Sequence, residues 1–152
     1  MSENTNTEII QENINSSIIH DTLKGKVDIK WFGHSGFKIS FKDASDFQRA
    51  IYIDIWIDNK NCPDEEKKTC PNDADLVLIT HGQLDHSMHA SFLINESKKE
   101  NKKLIANFEI CNYFQLFRKI PKDFCAELAK GHSKDFGFCS VRMVPADHPS
   151  IC

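Results

Sequence analysis

No stretch of this 152-residue chain runs apolar for anything near the roughly 20 residues that a membrane span needs. Its opening, Met-Ser-Glu-Asn-Thr-Asn-Thr-Glu, lacks the basic and apolar segments of a secretory signal. Positive charge is not in surplus either. Nineteen Lys and Arg stand against 22 Asp and Glu, and the net charge of −3 argues against a nucleic-acid surface as the chain's main business. Six cysteines (Cys62, Cys70, Cys111, Cys125, Cys139 and Cys152) form no C-x-x-C pair and follow no zinc-finger spacing. They are expected to be reduced thiols packed as small hydrophobes, with a Cys62–Cys70 metal or redox pair as the lesser alternative. The expectation is a cytoplasmic globular protein with no membrane or nucleic-acid partner. Its length suits a single domain with a genuine core.

Residues 1–26 are rich in Asn, Glu, Ser and Thr and are expected to form a disordered or loosely docked tail. The domain is expected to span 27–152. From Val27 the apolar period becomes two. Val27, Ile29 and Trp31, and then Phe37, Ile39 and Phe41, read as half-buried strands joined by Gly33-His34-Ser35-Gly36. Ala50–Ile57 reads as a third strand, with Ile51, Ile53, Ile55 and Ile57 on one face and Tyr52, Asp54 and Trp56 on the other. A carboxylate inside such an apolar strand is costly unless it is paired, which singles out Asp54. Asn59–Asp73, with Pro63 and Pro71, reads as an exposed loop. A helix is expected over Ser87–Lys99 with Met88, Phe92 and Leu93 inward, then a short strand over Lys103–Ala106. Ile110, Tyr113, Phe114 and Phe117 fall on one face of a helix over Phe108–Lys119. Lys122–Lys130 reads as a further short helix, and Cys139–Met143 as a last strand. Alternating strands and helices after an opening meander imply an α/β domain.

The stretch that organises the chain is Asp75–His89. Four apolar residues, Leu76–Ile79, suit a strand buried on both faces. After Thr80 come His81, Gly82, Gln83, Leu84, Asp85 and His86, and then a helical pattern. A polar cluster between a strand's carboxyl end and a helix's amino end is where open α/β sheets gather active sites. Imidazole nitrogen and carboxylate oxygen are the donors a zinc-like cation selects. The competing reading is a polar loop whose histidines cap and solvate. His20, His89 and His132 are assigned to surface or core.

The spacing His81, Gln83, Asp85, His86 resembles the H-x-H-x-D-H signature of the metallo-β-lactamase superfamily, with glutamine at the second histidine. Three further stretches resemble its small metal-dependent hydrolase branch, near the ascorbate-phosphate lactonases. They are Trp31-Phe32-Gly33-His34-Ser35-Gly36-Phe37, Ile53-Asp54-Ile55-Trp56 and Val141-Arg142-Met143-Val144-Pro145-Ala146-Asp147-His148. Phe108-Glu109-Ile110-Cys111 fits the same branch. The resemblance implies an αββα sandwich, here truncated to its N-terminal half. It implies one or two divalent cations, zinc first and Mn, Mg or Fe as alternatives.

By position, His81, Gln83 and His148 would ligate the first cation, and Asp85 and His86 the second. Asp54 would stand behind the ligands and orient them. His34 would either face the site edge or serve only its turn. Asp85 would also steer the hydrolytic water, as the catalytic residue. The implied reaction is metal-assisted hydrolysis of a small-molecule ester, lactone or phosphoester. Gln83 is a poorer zinc ligand than imidazole, and the family's remaining ligands lie beyond the matched half. Impaired activity, or a catalytically silent binding protein, is therefore expected as the alternative. A missing second sheet would leave apolar surface for a second copy or a second chain to cover. A nucleic-acid-processing relative would need a basic stripe, and this sequence has none.

Overall fold

A six-stranded sheet sets parallel strands side by side next to an antiparallel meander. The computed structural model describes residues 25–68, 71–146 and 148. The expected N-terminal tail up to residue 24, with His20, and also Cys70, Asp147 and Cys152 lie outside the described residues.

Strands β1 (Asp28–Trp31), β2 (Phe37–Lys42) and β3 (Gln48–Ile53) form an antiparallel meander. Strands β4 (Leu76–Leu78), β5 (Lys103–Ala106) and β6 (Cys125–Glu127) then add in parallel, giving the order β1-β2-β3-β4-β5-β6. Parallel neighbours require crossovers, and all three contain helices. Between β3 and β4 lies α1 (Asp64–Lys68). Between β4 and β5 lie α2 (Leu84–Ser87) and α3 (Ala90–Glu96), and between β5 and β6 lies α4 (Phe108–Phe117). Asn107 caps α4, its side chain accepting the Ile110 N–H at 2.9 Å.

Alternation divides the sheet into two apolar faces. Tyr52, Val77 and Leu104 point toward the helices, where Leu93, Ile94, Ile110 and Phe114 close over them. Ile51, Leu76, Ile105 and Ala126 point the other way, under Phe136, Phe138, Val141 and Met143 of a small hairpin. That hairpin pairs β7 (Ser133–Asp135) with β8 (Ser140–Arg142) as a separate two-stranded sheet. The architecture is thus mixed α/β, with helices on one face of the central sheet and a two-stranded sheet on the other. Register aligns Ile29 with Ile39 and Ile51, and Trp31 with Phe37 and Ile53, in apolar rows across this second face. The rows remain open at their β1 end, where Ile29 is 68% and Trp31 49% exposed.

Several elements depart from the sequence reading. The third strand stops at Ile53 because Asp54 takes φ 47°, so Ile55 and Ile57 are buried from a loop rather than by alternation. The helix expected over 87–99 is two short ones, and Met88 and Phe92 are exposed while Ala90, Leu93 and Ile94 face in. His89 interrupts them, because its Nδ1 accepts the Ile57 N–H at 3.3 Å. Residues 122–130 form a 3-10 turn and the edge strand β6, not a helix. Phe117 lies outside the core, and the strand β7 had not been anticipated. The loop over 59–73 contains α1 and two buried residues, Asn59 and Cys62. Among the described residues the cysteines are free thiols, and no helix is long and apolar enough to cross a membrane.

Candidate metal centre

Because β3, β4 and β5 are parallel, their carboxyl ends coincide. Asp54, Thr80 and Asn107 therefore share one edge, together with the β1–β2 turn that carries His34. Aspartate is among the few residues that enter the left-handed region at modest cost, and at Asp54 the conformation folds the carboxylate back under the end of β4. There Oδ1 accepts the Thr80 N–H at 2.9 Å. Oδ2 accepts the Thr80 hydroxyl at 2.6 Å and His86 Nδ1–H at 2.9 Å. Three donors offset the cost of burying a carboxylate that is only 4% exposed.

Those bonds fix where the protons sit. His86 donates from Nδ1, so in the neutral ring Nε2 carries a lone pair, 3.7 Å from Asp85 Oδ2. The single Thr80 hydroxyl proton goes to Asp54, so its oxygen is left to accept His81 Nδ1–H at 2.9 Å. His81 Nε2 then also carries a lone pair, and it faces Gln83 Oε1 at 3.1 Å. A proton or a cation between acceptors so placed holds them together, and rotation of the Gln83 amide would instead offer an N–H to His81 Nε2. Carboxylate and hydroxyl partners on the far side of a ligand histidine are how proteins orient metal-binding imidazoles. Thr80 thus belongs to the constellation, though the sequence reading had passed over it. Its place between a buried strand and His81 was the available signal.

The short helix α2 sets the remaining donors. Gln83 occupies its N-cap position with an extended backbone and makes no side-chain cap. Its carbonyl instead accepts the N–H groups of His86 and Ser87, both at 3.0 Å, leaving the amide free to turn toward His81. Asp85 and His86 sit on the first turn. His148 arrives from beyond β8, with its ring centre 4.4 Å from that of His81, while the His81 and His86 rings are 4.0 Å apart. Side chains far apart in sequence therefore meet. Among the described residues, two three-donor groups have ligand atoms within 4.8 Å of one another: His34, Asp85 and His86, and Asp54, His81 and His86. Both oxygens of Asp54 are already engaged by Thr80 and His86, which suits that residue to orienting rather than ligating. His89 and His132 join neither group. A cleft of about 1100 Å³ opens beside His81 and His148, walled by Asn107, Glu109, Leu128 and Met143.

A mixed α/β domain that collects imidazoles and a carboxylate at its strand ends has the donor set of a metal-dependent enzyme. No family model matches the chain. Named proteins do. A UPF0173 metal-dependent hydrolase of Xanthobacter autotrophicus is 31% identical over 124 residues, covering 80% of this chain and 48% of that protein. One from Koribacter versatilis is 33% identical over 121 residues, covering 79% and 47%. Among solved structures, Igni18, a metallo hydrolase from the archaeon Ignicoccus hospitalis, matches with a TM-score of 0.63 and 26% identity over 82% of this chain and 50% of that one. The chain belongs to this metallo-β-lactamase-like family of metal-dependent hydrolases. It spans about half the length of the curated relatives it matches.

Proposed function

We propose that the chain holds a divalent cation among His81, Gln83 and His148, with Asp85 and His86 beside it, for hydrolysis of a small-molecule ester, lactone or phosphoester. The observation that carries this reading is the pair of Nε2 lone pairs, on His81 and His86, that Asp54 and Thr80 turn toward the oxygens of Gln83 and Asp85. The donor chemistry fits a cation. It consists of imidazoles, one carboxylate and one amide oxygen, with an apolar core behind them. A bound cation would supply Lewis acidity, bringing the pKa of a water toward roughly 7. The protein's own residues do the rest. Asp85 is the catalytic carboxylate that orients the attacking water, and the cleft beside His148 receives the substrate.

Gln83 tunes the site downward. A neutral amide oxygen is a harder and weaker ligand than imidazole, so zinc is held less tightly and Mn²⁺, Mg²⁺ or Fe²⁺ compete better. Impaired hydrolysis follows from the same substitution, as does the second reading, a catalytically silent member that binds without turning over. The open apolar rows around Ile29 and Trp31 support an added layer there, from a second copy or a second chain.

The test is direct metal analysis after reconstitution with Zn²⁺, Mn²⁺ or Fe²⁺. Bound metal below about a tenth of an equivalent overturns the proposal. A Gln83→His variant is expected to gain zinc affinity by about 10-fold or more. If that variant gains affinity and also hydrolyses model lactones that the parent leaves intact, the silent reading holds for the parent.

A further inference from the structure

The wall of the cleft that leads to His148 has no backbone hydrogen bond to the central sheet among the described residues. From Ala129 to Met143 these bonds close within the segment. Gly131 N–H reaches the Met143 carbonyl at 2.7 Å, and Met143 N–H reaches the His132 carbonyl at 3.0 Å. Phe136 N–H meets the Cys139 carbonyl at 2.9 Å across the tip. The β7–β8 ladder is likewise a sheet of its own. Side chains alone therefore seat the hairpin on the six-stranded sheet. Its base supplies Lys130, His132 and Met143 to the cleft, and the chain leaving β8 brings His148.

Apolar contact does part of the holding, with Val141 and Met143 packed on the cluster of Phe41, Ile51, Leu76 and Ile105. Such contact is non-directional, so it does not by itself fix the seat. The tip is packed more loosely, beside a hollow of about 210 Å³ between the 43–45 turn, Arg49 and residues 136–138. One directional contact crosses there. Arg49 Cζ lies 4.5 Å from the centre of the Phe138 ring. The guanidinium is held in place from the sheet's own side. Nε and one terminal nitrogen meet Asp43 Oδ2, both at 2.7 Å, and the other terminal nitrogen donates to Asp75 Oδ1 at 3.0 Å. Those carboxylates are buried and fixed in turn, Asp43 by the N–H groups of Ser45 and Phe47 and Asp75 by that of Ala50. A planar cation pinned in this way offers a ring one preferred seat.

We infer that Arg49 is a positioning residue: by stacking on Phe138 it fixes where the β7–β8 hairpin sits, and through the hairpin it sets how His148 approaches His81. The inference rests on the proposed function and deepens it. Arg49 stands near the amino end of β3, five residues and roughly 17 Å of strand from Asp54 at the site's edge, so it acts on the site only through what it touches. The ion pairs with Asp43 and Asp75 join connections of the central sheet to one another. Only the stack on Phe138 reaches the wall that carries the ligand.

Zinc affinity of the full chain, measured by chelator competition, tests the assignment. Arg49→Lys keeps a cation between Asp43 and Asp75 but loses the planar face. Phe138→Leu removes the ring and leaves Arg49 with its carboxylates. Each variant is expected to bind zinc about 3- to 30-fold more weakly, the range of a cation–π contact. In a His148→Ala background both losses are expected to shrink to within about 2-fold, because the hairpin then carries no ligand. In the metal-free protein, the Gly131 and Met143 amides should exchange hydrogen faster in both variants, since a two-stranded hairpin without support is marginal. Affinities within about 2-fold of the parent in both variants would overturn the inference, as would unchanged exchange. An equal loss in the His148→Ala background would also overturn it, since the effect would then be a general loosening of the fold. In each of those cases the proposed function stands. No zinc binding by the parent would overturn both.

Discussion

Replacing Asp54 by asparagine tests the proton arrangement on which the site depends. The side chains are nearly isosteric, and asparagine also tolerates φ near 47°, so the backbone is preserved. The amide oxygen can still accept the Thr80 N–H. The amide nitrogen, however, now stands where Oδ2 accepted both the Thr80 hydroxyl and His86 Nδ1–H. Donors then face donors. His86 can relieve the conflict only by moving its proton to Nε2, which extinguishes the lone pair directed toward Asp85. Two hydrogen bonds to a buried carboxylate are lost, each worth about 1.5–3 kcal/mol. Partial repair by reorientation leaves an expected destabilisation of the metal-free protein of about 2–4 kcal/mol. Cation affinity should fall by about 10- to 100-fold, the usual consequence of removing the partner behind a ligand histidine. Urea denaturation measures the first effect and chelator competition with Zn²⁺ the second. Nitrogen-15 spectra of the imidazoles report the His86 tautomer directly. A variant that binds zinc within about 2-fold of the parent, with Nδ1 of His86 still protonated, would refute the reasoning.

Two further predictions concern stability. Gly33→Ala places a Cβ at φ +81°, against Asn59 Oδ1 and 2.7 Å from Cys62 N, so strain and overpacking together should cost about 2–5 kcal/mol in urea denaturation. A loss below about 1 kcal/mol would show that the 59–62 loop yields freely and does not clamp the His34 turn. Burial holds His89 below the usual histidine range, against the opposing pull of the Asp58 carboxylate, and the folded ring accepts the Ile57 N–H. The unfolded chain binds the extra proton first, near pH 6.5, so stability present above that pH should decline as the pH falls from there through the lower folded value. The urea midpoint of His89→Gln should show a shallower decline over that window, and an identical pH dependence in the two proteins would remove His89 as its cause.

What the sequence made legible was the part governed by hydrophobic period. The alternation in β2 and β3 and the buried run of β4 are read by counting, and His81, Asp85 and His86 follow because a strand must deliver its next residues to its end. The rest depended on partners. Residues 122–130 look helical by composition, but Cys125–Glu127 becomes a strand because β5 offers it a parallel edge. Ser133–Asp135 carries no apolar signal at all and pairs only because Ser140–Arg142 returns beside it. The strand β1 alternates correctly yet stays exposed, since alternation states which face is apolar and not whether anything covers it.

Asp54 shows why such failures are informative. Read by period alone, it is a defect, a carboxylate in a run of isoleucines. The structure removes the defect by breaking the period: one left-handed residue ends β3, and the carboxylate that could not be buried in a strand becomes the acceptor that sets the tautomers of His81 and His86. His34 repeats the pattern in the neighbouring turn, where a histidine stands in the left-handed region between two glycines better suited to it. Of the four non-glycine residues with positive φ among those described, two lie within this one cluster. A chain selected for packing alone would have little reason to place local conflicts at the meeting point of its histidines. A chain that must aim imidazole lone pairs at a common point has every reason to.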